Sequence, residues 1–312
     1  MRIVSIGDLV CDVYYDENKE IIGAFGGITA CNIVCNLQNM GFNTYAYGVC
    51  GNDFLGKISI KSLDDCGVKN DISILDNIKT KAYHILKLKK DNRYIYRSIK
   101  SCPYCKESSW YEESFIKEKE IIKKIKRDDI LIFDNLNDKN QFIIDNTSNT
   151  KLLDLGNYDE FINKTDTEIV KKMANKFAII NLNERVEKYL IEKLNCKNDI
   201  ELSKIFKTKL IMITRGINGN DLVYRNRVYT YPLEKIIEEV DDSGAGDAFF
   251  SVIIKNWLNN NQKLEAKLFN KWINDTRSLI KKVLLQIGSR THIKELYLVI
   301  KRDLCKGDGE NE

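Results

Sequence analysis

The chain has 312 residues, 43% hydrophobic and 30% charged, enough apolar material for a sizeable buried core and too little polarity for a disordered chain. Its formal charge of +4 is the balance of 49 basic and 45 acidic residues spread along the length. A nucleic-acid binder would concentrate its basic residues in a stripe, and a membrane span needs roughly 18 consecutive apolar residues; neither pattern is present. The opening Met1-Arg2-Ile3-Val4-Ser5-Ile6 enters a strand pattern at once, so a secretory leader is not expected. Cys11, Cys31, Cys35, Cys50, Cys66, Cys196 and Cys305 are isolated from one another. That usage suits a reduced, cytoplasmic protein in which Cys serves as a small buried apolar residue.

In chain order, strands are expected at Arg2–Ile6, Val10–Tyr15, Asn43–Tyr47, Ile130–Phe133, Lys151–Leu153, Phe177–Ile180 and Leu210–Ile213. Helices are expected at Ile28–Met40, Phe54–Cys66, Glu112–Ile125, Gln141–Asn146, Thr165–Ala174 and Arg185–Leu194. Beyond Gly244 the pattern turns helical: Ala245–Trp257, Gln262–Leu285 and His292–Ile300. Such alternation predicts an α/β fold, a three-layer sandwich with a mainly parallel central sheet covered on both faces. Two stretches break it, since Val10–Tyr15 and Ala82–Ile99 are strands not followed by helices. Within the second, Tyr83–Leu88 facing Tyr94–Tyr96 across Asp91-Asn92 reads as a hairpin forming a small β-sheet lid, and further on Asp221–Tyr224 with Arg227–Tyr231 reads as another hairpin. The alternating charges of Lys117–Arg127 read as a solvated helix face.

The densest chemical signal is Asp241-Asp242-Ser243-Gly244-Ala245-Gly246-Asp247, running directly into an apolar helix. Small residues before a helix start expose several N–H groups, and the helix dipole adds partial positive charge, so Gly244, Ala245 and Gly246 form an anion hole suited to phosphate. Asp247 in the first turn has two readings. It is an acid complementing the dipole, or a general base taking a hydroxyl proton beside the phosphate. Gly51-Asn52-Asp53-Phe54-Leu55-Gly56-Lys57 mimics the opening of a nucleotide-binding P-loop, but Ile58 stands where a Mg²⁺-binding Ser or Thr is required. It reads instead as a glycine-rich turn from strand to helix.

Gly26-Gly27-Ile28-Thr29-Ala30-Cys31-Asn32, then Gly41, then Gly48 to Gly56, then the Asp241–Asp247 run together resemble the ribokinase-like (PfkB) carbohydrate kinases. The resemblance spans roughly residues 1–290, and Ile6-Gly7-Asp8-Leu9-Val10-Cys11-Asp12 is similar to the branch holding fructoselysine and other fructosamine kinases. It implies one kinase domain over 1–300, with a lid from about 10–25 and 82–111 and a polar tail at 301–312. It also implies Asp247 as catalytic base, the 244–246 amides as anion hole, and Asp12, Gly26, Gly27 and Asn32 as binders of sugar hydroxyls. For Asp12 the plainer alternative is a turn or capping acid. Asp154, at a strand end where open α/β sheets place ligands, is a further substrate candidate.

Asn181-Leu182-Asn183-Glu184 resembles the family's Asn-x-x-Glu motif, which organises Mg²⁺ and phosphate. Glu187 is an alternative acid, and a helix N-cap at Asn181 or Asn183 explains the same letters without function. Thr214, Gly216 and Gly219 resemble the turn beside the ATP phosphates, and otherwise read as a hairpin-rich turn. The function so implied is ATP- and Mg²⁺-dependent phosphorylation of a sugar or sugar derivative, with a monovalent cation as a further cofactor. The alternatives are a non-catalytic sugar- or nucleotide-binding regulator and a nucleoside kinase. No nucleic acid or membrane partner is expected, and the resemblance implies a homodimer through the lid.

Cys102-Pro103-Tyr104-Cys105 has the letters of a redox motif outside that motif's usual context. Read as a zinc knuckle it lacks a second pair within the chain, so two ordinary thiols are the plain alternative. Two knuckles brought together by a two-fold axis would supply four thiolates, and within one chain His84 or an isolated Cys would have to complete the set.

Overall fold

Nine strands form one sheet in the computed structural model, which describes residues 1–299 apart from 91–92, 109, 112, 157–166, 234–239 and 296. From edge to edge the order is Arg227–Tyr231, Asn220–Tyr224, Leu210–Thr214, Ile179–Asn183, Thr150–Leu155, Ile130–Phe133, Ile3–Asp8, Thr44–Gly51 and Lys69–Leu75. All neighbours run parallel except the first three strands, which pair antiparallel. Parallel strands covered on both faces are mostly apolar, as the inner ones here are. Ile3, Ile130 and Ile132 enter one core while Val4, Ile6, Leu131 and Phe133 enter the other.

The first core is closed by helices Thr29–Asn39, Ala245–Asn259 and Ala266–Leu284, through residues such as Ile33, Phe249, Phe250, Trp257 and Trp272. Ile121, Ile143, Val170, Val186, Leu190 and Phe206, from the remaining short helices, close the second. This is the three-layer α/β arrangement read from the alternation. Among the described residues no helix is long and apolar enough to cross a membrane.

A second sheet of four strands has the order Ile21–Gly26, Val10–Tyr15, Lys81–Lys90, Arg93–Ile99. Side chains alternate across it. Cys11, Val13, Tyr15 and Ala82 face Leu55 and Ile58 of helix Phe54–Asp65. The intervening Asp12 and Tyr14, in register with Tyr83 and Ile85, occupy the other face. The turn expected at Asp91-Asn92 and the tail at 301–312 lie outside the described residues.

Several boundaries differ from expectation, each for a local reason. Ile21–Gly26 is a strand despite two glycines, which weaken the strand signal. Lys69–Leu75 is an edge strand whose polar residues hide its period. Helix Asp199–Phe206 is short and starts from Asn198, whose side chain accepts from the Ile200 and Glu201 amides. The helix expected over His292–Ile300 is absent among its described residues: 291–294 turn, and Tyr297 bridges Ala24 of the small sheet. The Gly51–Gly56 turn holds its own anion, since Asp53 accepts from Gly56 N at 2.7 Å and Thr80 N at 2.6 Å. It is a capped helix start, as its Ile58 suggested.

Candidate active site

The Asp241–Asp247 run lies at the start of helix Ala245–Asn259, and its shape is set by two contacts with the turn at 288–290. Asp241 accepts from Ser243 N at 3.0 Å and from Gly288 N at 2.8 Å, tying loop to turn. Gly244 has φ +81°, and a Cβ there would stand 2.6 Å from Cβ of Ser289. Glycine is required on both counts. The helix then begins with N–H groups that have no partner inside it, the feature that makes a helix start receptive to anions.

Asp247 follows in the first turn, buried to 9% exposure, with one carboxylate oxygen accepting from Asn32 Nδ2 at 2.6 Å. It lines a cleft of about 980 Å³ together with Gly244, Ala245, Gly246, Asp154, Asn181, Thr214 and Gly216. Asp154 and Asn181 are register neighbours on adjacent strands, and Asn181 Nδ2 donates to Asp154 at 2.8 Å. The Asp154 carboxylate also accepts from Gly156 N at 2.7 Å, while Asn181 Oδ1 is buried with no partner among the described residues. At its far end the cleft is apolar, with Ile217, Leu233, Ile273, Ile280 and Leu284, and carries the cations Arg277 and Lys281.

Asp12, Gly26, Gly27 and Asn32 stand on the small-sheet side of Asp247. A Cβ on Gly27 would lie 2.5 Å from the Asp12 carboxylate, and one on Gly26 would lie 2.8 Å from Arg290 and from Ser62. The paired glycines thus let the backbone lie against Asp12 and Arg290. Burial pushes the Asp12 carboxyl up to about 7; Arg290 pulls it back, and Asp241 and Asp247 raise it further. Asp154 is likewise pushed up to about 7, by burial and then by the charge of Asp247. Burial pushes Asp247 up to about 6 against the stabilising effect of Asn32, Arg290 and Thr29. Burial thus disfavours the ionised form of all three carboxyls.

Other expected residues fall elsewhere. Asn183, not Asn181, caps helix Glu184–Lys193, accepting from Val186 N at 2.8 Å. Glu184 is outside the cleft lining and pairs with Lys188 at 2.7 Å and Arg215 at 3.9 Å. Glu187 is buried against Arg215, which also meets Asp199 and Asp221. Both acids thus share Arg215 as an ion partner. Gly219 is outside the lining as well: its φ is +91° and a Cβ would meet Tyr231 O at 2.2 Å, a packing requirement.

The zinc expectation at Cys102 and Cys105 is corrected. Pro103–Cys105 forms a turn closed by Lys106 N on Cys102 O, and Tyr104 anchors it by donating to Lys19 O at 2.5 Å. That turn buries Cys102 and exposes Cys105. His84, the alternative ligand, is buried with Nδ1 2.7 Å from the Tyr15 hydroxyl. Among the described residues no group of three or more His, Cys, Asp or Glu could hold a metal ion.

Sequence reasoning missed Arg290, Thr29, Arg277 and Lys281. Arg290 sits in an unremarkable Gly-Ser-Arg-Thr turn with no local signal. The last two could have been found as cations four residues apart beside the apolar stripe of a helix that was already legible.

The model of the pfkB family carbohydrate kinases matches residues 2–269. Among solved structures, the chain is similar to an uncharacterized sugar kinase from Pyrococcus horikoshii, at 18% identity and TM-score 0.69, covering 93% of each chain. It is also similar to a double-mutant fructokinase from Vibrio cholerae O395 bound to fructose, ADP and potassium, at 14% identity, TM-score 0.70 and 94% of each chain. A Burkholderia thailandensis nucleoside kinase in complex with inosine matches at 13% identity and TM-score 0.70, over 93% of each chain. No curated protein matches the sequence.

Proposed function

The chain belongs to the pfkB family of carbohydrate kinases, and from that premise we propose that it transfers the γ-phosphoryl group of ATP to a hydroxyl of a sugar or nucleoside, with Asp247 as general base. The observation that carries this reading is the placement of the Asp247 carboxylate in the first turn of helix Ala245–Asn259, beside the Gly244–Gly246 helix start, in one cleft. In the step so drawn, the acceptor oxygen gives its proton to Asp247 and forms a bond to the γ-phosphorus. The bond from γ-phosphorus to the bridging oxygen breaks, and ADP leaves with that electron pair. The helix start holds the phosphoryl oxygens as charge spreads over them. Asp12 holds acceptor hydroxyls from the small-sheet side, and the apolar end near Ile273 and Ile280 takes the nucleotide base.

A magnesium ion fits the Asp154–Asn181 corner better than Glu184. Asn181 Oδ1 is a buried acceptor without a partner among the described residues, and hard cations prefer such oxygen donors. When bound there, Mg²⁺ supplies neutralising charge for the nucleotide phosphates. The likeness to fructosamine kinases read from Ile6–Asp12 rests on sequence alone, so both sugars and nucleosides belong in the test.

That test is an ATP-consumption assay with Mg²⁺ and K⁺ over ketoses, pentoses, fructosamines and nucleosides. Turnover above 1 s⁻¹ on the scale of typical enzymes, roughly 1–10³ s⁻¹, with one acceptor class is the expected result. Acceptor binding without ADP formation across the panel would replace the kinase by a binding protein of the same fold. The pH profile is a second check. A base must be ionised to accept a proton, and Asp247 is raised to about 6. Below that pH it is protonated and silent, so kcat should climb through pH 6 and level off above it. A kcat flat from pH 5 to 8 would remove Asp247 from the chemical step.

A further inference from the structure

Arg290 lies beyond the segment that the family model matches and is 1% exposed. Burying a guanidinium costs several kcal/mol unless its donors are satisfied, so its partners define what it is for. Nε donates to Asn32 Oδ1 at 2.6 Å, Nη1 to Ser62 Oγ at 2.9 Å and Nη2 to the Gly27 carbonyl at 2.6 Å. All three acceptors are neutral oxygens. The Asn32 amide then passes the contact on, because its Nδ2 donates to Asp247.

An amide side chain has two ends of nearly the same shape, and its neighbours decide which way it points. A guanidinium only donates, so Asn32 must turn its oxygen toward Arg290. Its N–H groups are thereby directed at Asp247. Without that constraint the flipped amide would bring oxygen against a carboxylate oxygen, and Asp247 would have to rotate away. The third bond fixes Gly27, whose backbone lies against Asp12.

We propose that Arg290 is a positioning residue for the phosphoryl transfer: it polarises the Asn32 amide and pins the Gly27 carbonyl, holding Asp247 and the Asp12 side of the acceptor pocket in one geometry. This rests on the reading of Asp247 as the base. The groups facing Asp247 are Asn32 and Thr29 from helix Thr29–Asn39, Asp12 from the small sheet, Asp154 from the main sheet and Arg290 from the last turn, with Asp241 next to Asp12. Arg290 is the cation among them. Its removal leaves the neighbouring carboxylates to oppose ionisation of Asp247.

The experiment compares Arg290→Met and Arg290→Lys with the parent, with folding checked by circular dichroism and nucleotide affinity by calorimetry. Arg290→Met is expected to lower kcat about tenfold or more, leave ATP affinity within twofold and move the acid limb of kcat upward by about one pH unit. Arg290→Lys keeps the charge but loses the planar fork, so the acid limb returns while kcat stays at least fivefold low. Should Arg290→Met not fold, Arg290→Lys alone decides: full parental kcat overturns the proposal. A folded Arg290→Met with kcat within twofold and an unmoved acid limb also overturns it. Turnover retained by Asp247→Asn would remove the base assignment and this role together, whereas an inactive Asp247→Asn beside a normal Arg290→Met removes only the role of Arg290.

Discussion

Asp247→Asn is expected to lower kcat by about 10²–10⁴-fold, the usual cost of removing a general base, with ATP affinity nearly unchanged. The amide is close to isosteric, so helix Ala245–Asn259 and its start remain in place. What changes is that the acceptor proton has no destination. Asn32 Nδ2, 2.6 Å from Asp247 in the parent, can still donate to the amide oxygen. Stopped-flow turnover and calorimetric nucleotide binding check both halves, and turnover within threefold of the parent would sink the assignment. A mutant that loses nucleotide binding in equal measure would mean that Asp247 supports the phosphate site instead.

Asp12→Ala comes next in size. Hydrogen bonds to a charged group are worth about 1.5–3 kcal/mol, so acceptor binding should weaken roughly 10- to 150-fold while nucleotide affinity holds. Burial lifts Asp12 to about 7, so the parent's own acceptor affinity should improve as pH rises through 7 and the carboxylate becomes charged. The variant lacks that dependence. Acceptor titration by calorimetry at pH 6 and pH 8 reads both effects, and unchanged affinity in the variant would make Asp12 a structural acid released from the substrate site.

What was legible in the sequence was local. The Gly244–Asp247 run is legible as a helix start because a glycine at positive φ and a first-turn acid fall within four residues. Strand–helix alternation fixes the layers because each apolar run must bury two faces. The surroundings of Glu184 were not legible, because its ion partner Arg215 lies 31 residues further along the chain. The cysteine pair failed for a different reason: four letters do not say that their turn sends one thiol inward and leaves the other outside. The Asp247–Asn32–Arg290 chain was invisible in principle, since no window of sequence contains its members.

That last separation has a consequence for how the protein comes into being. Asn32 meets Asp247 across 215 residues and Arg290 across 258, and Gly27 meets Arg290 across 263. A chain leaving the ribosome at about 5–20 residues per second presents its N-terminal half well before those partners exist. The parallel strands from Ile3 to Leu155 can assemble early, but Asn32 gains its carboxylate partner only with Asp247 and its guanidinium only with the final turn. The Asp247–Asn32–Arg290 chain is therefore among the last contacts to form, and it forms together with the closing of the first core by helices Ala245–Asn259 and Ala266–Leu284.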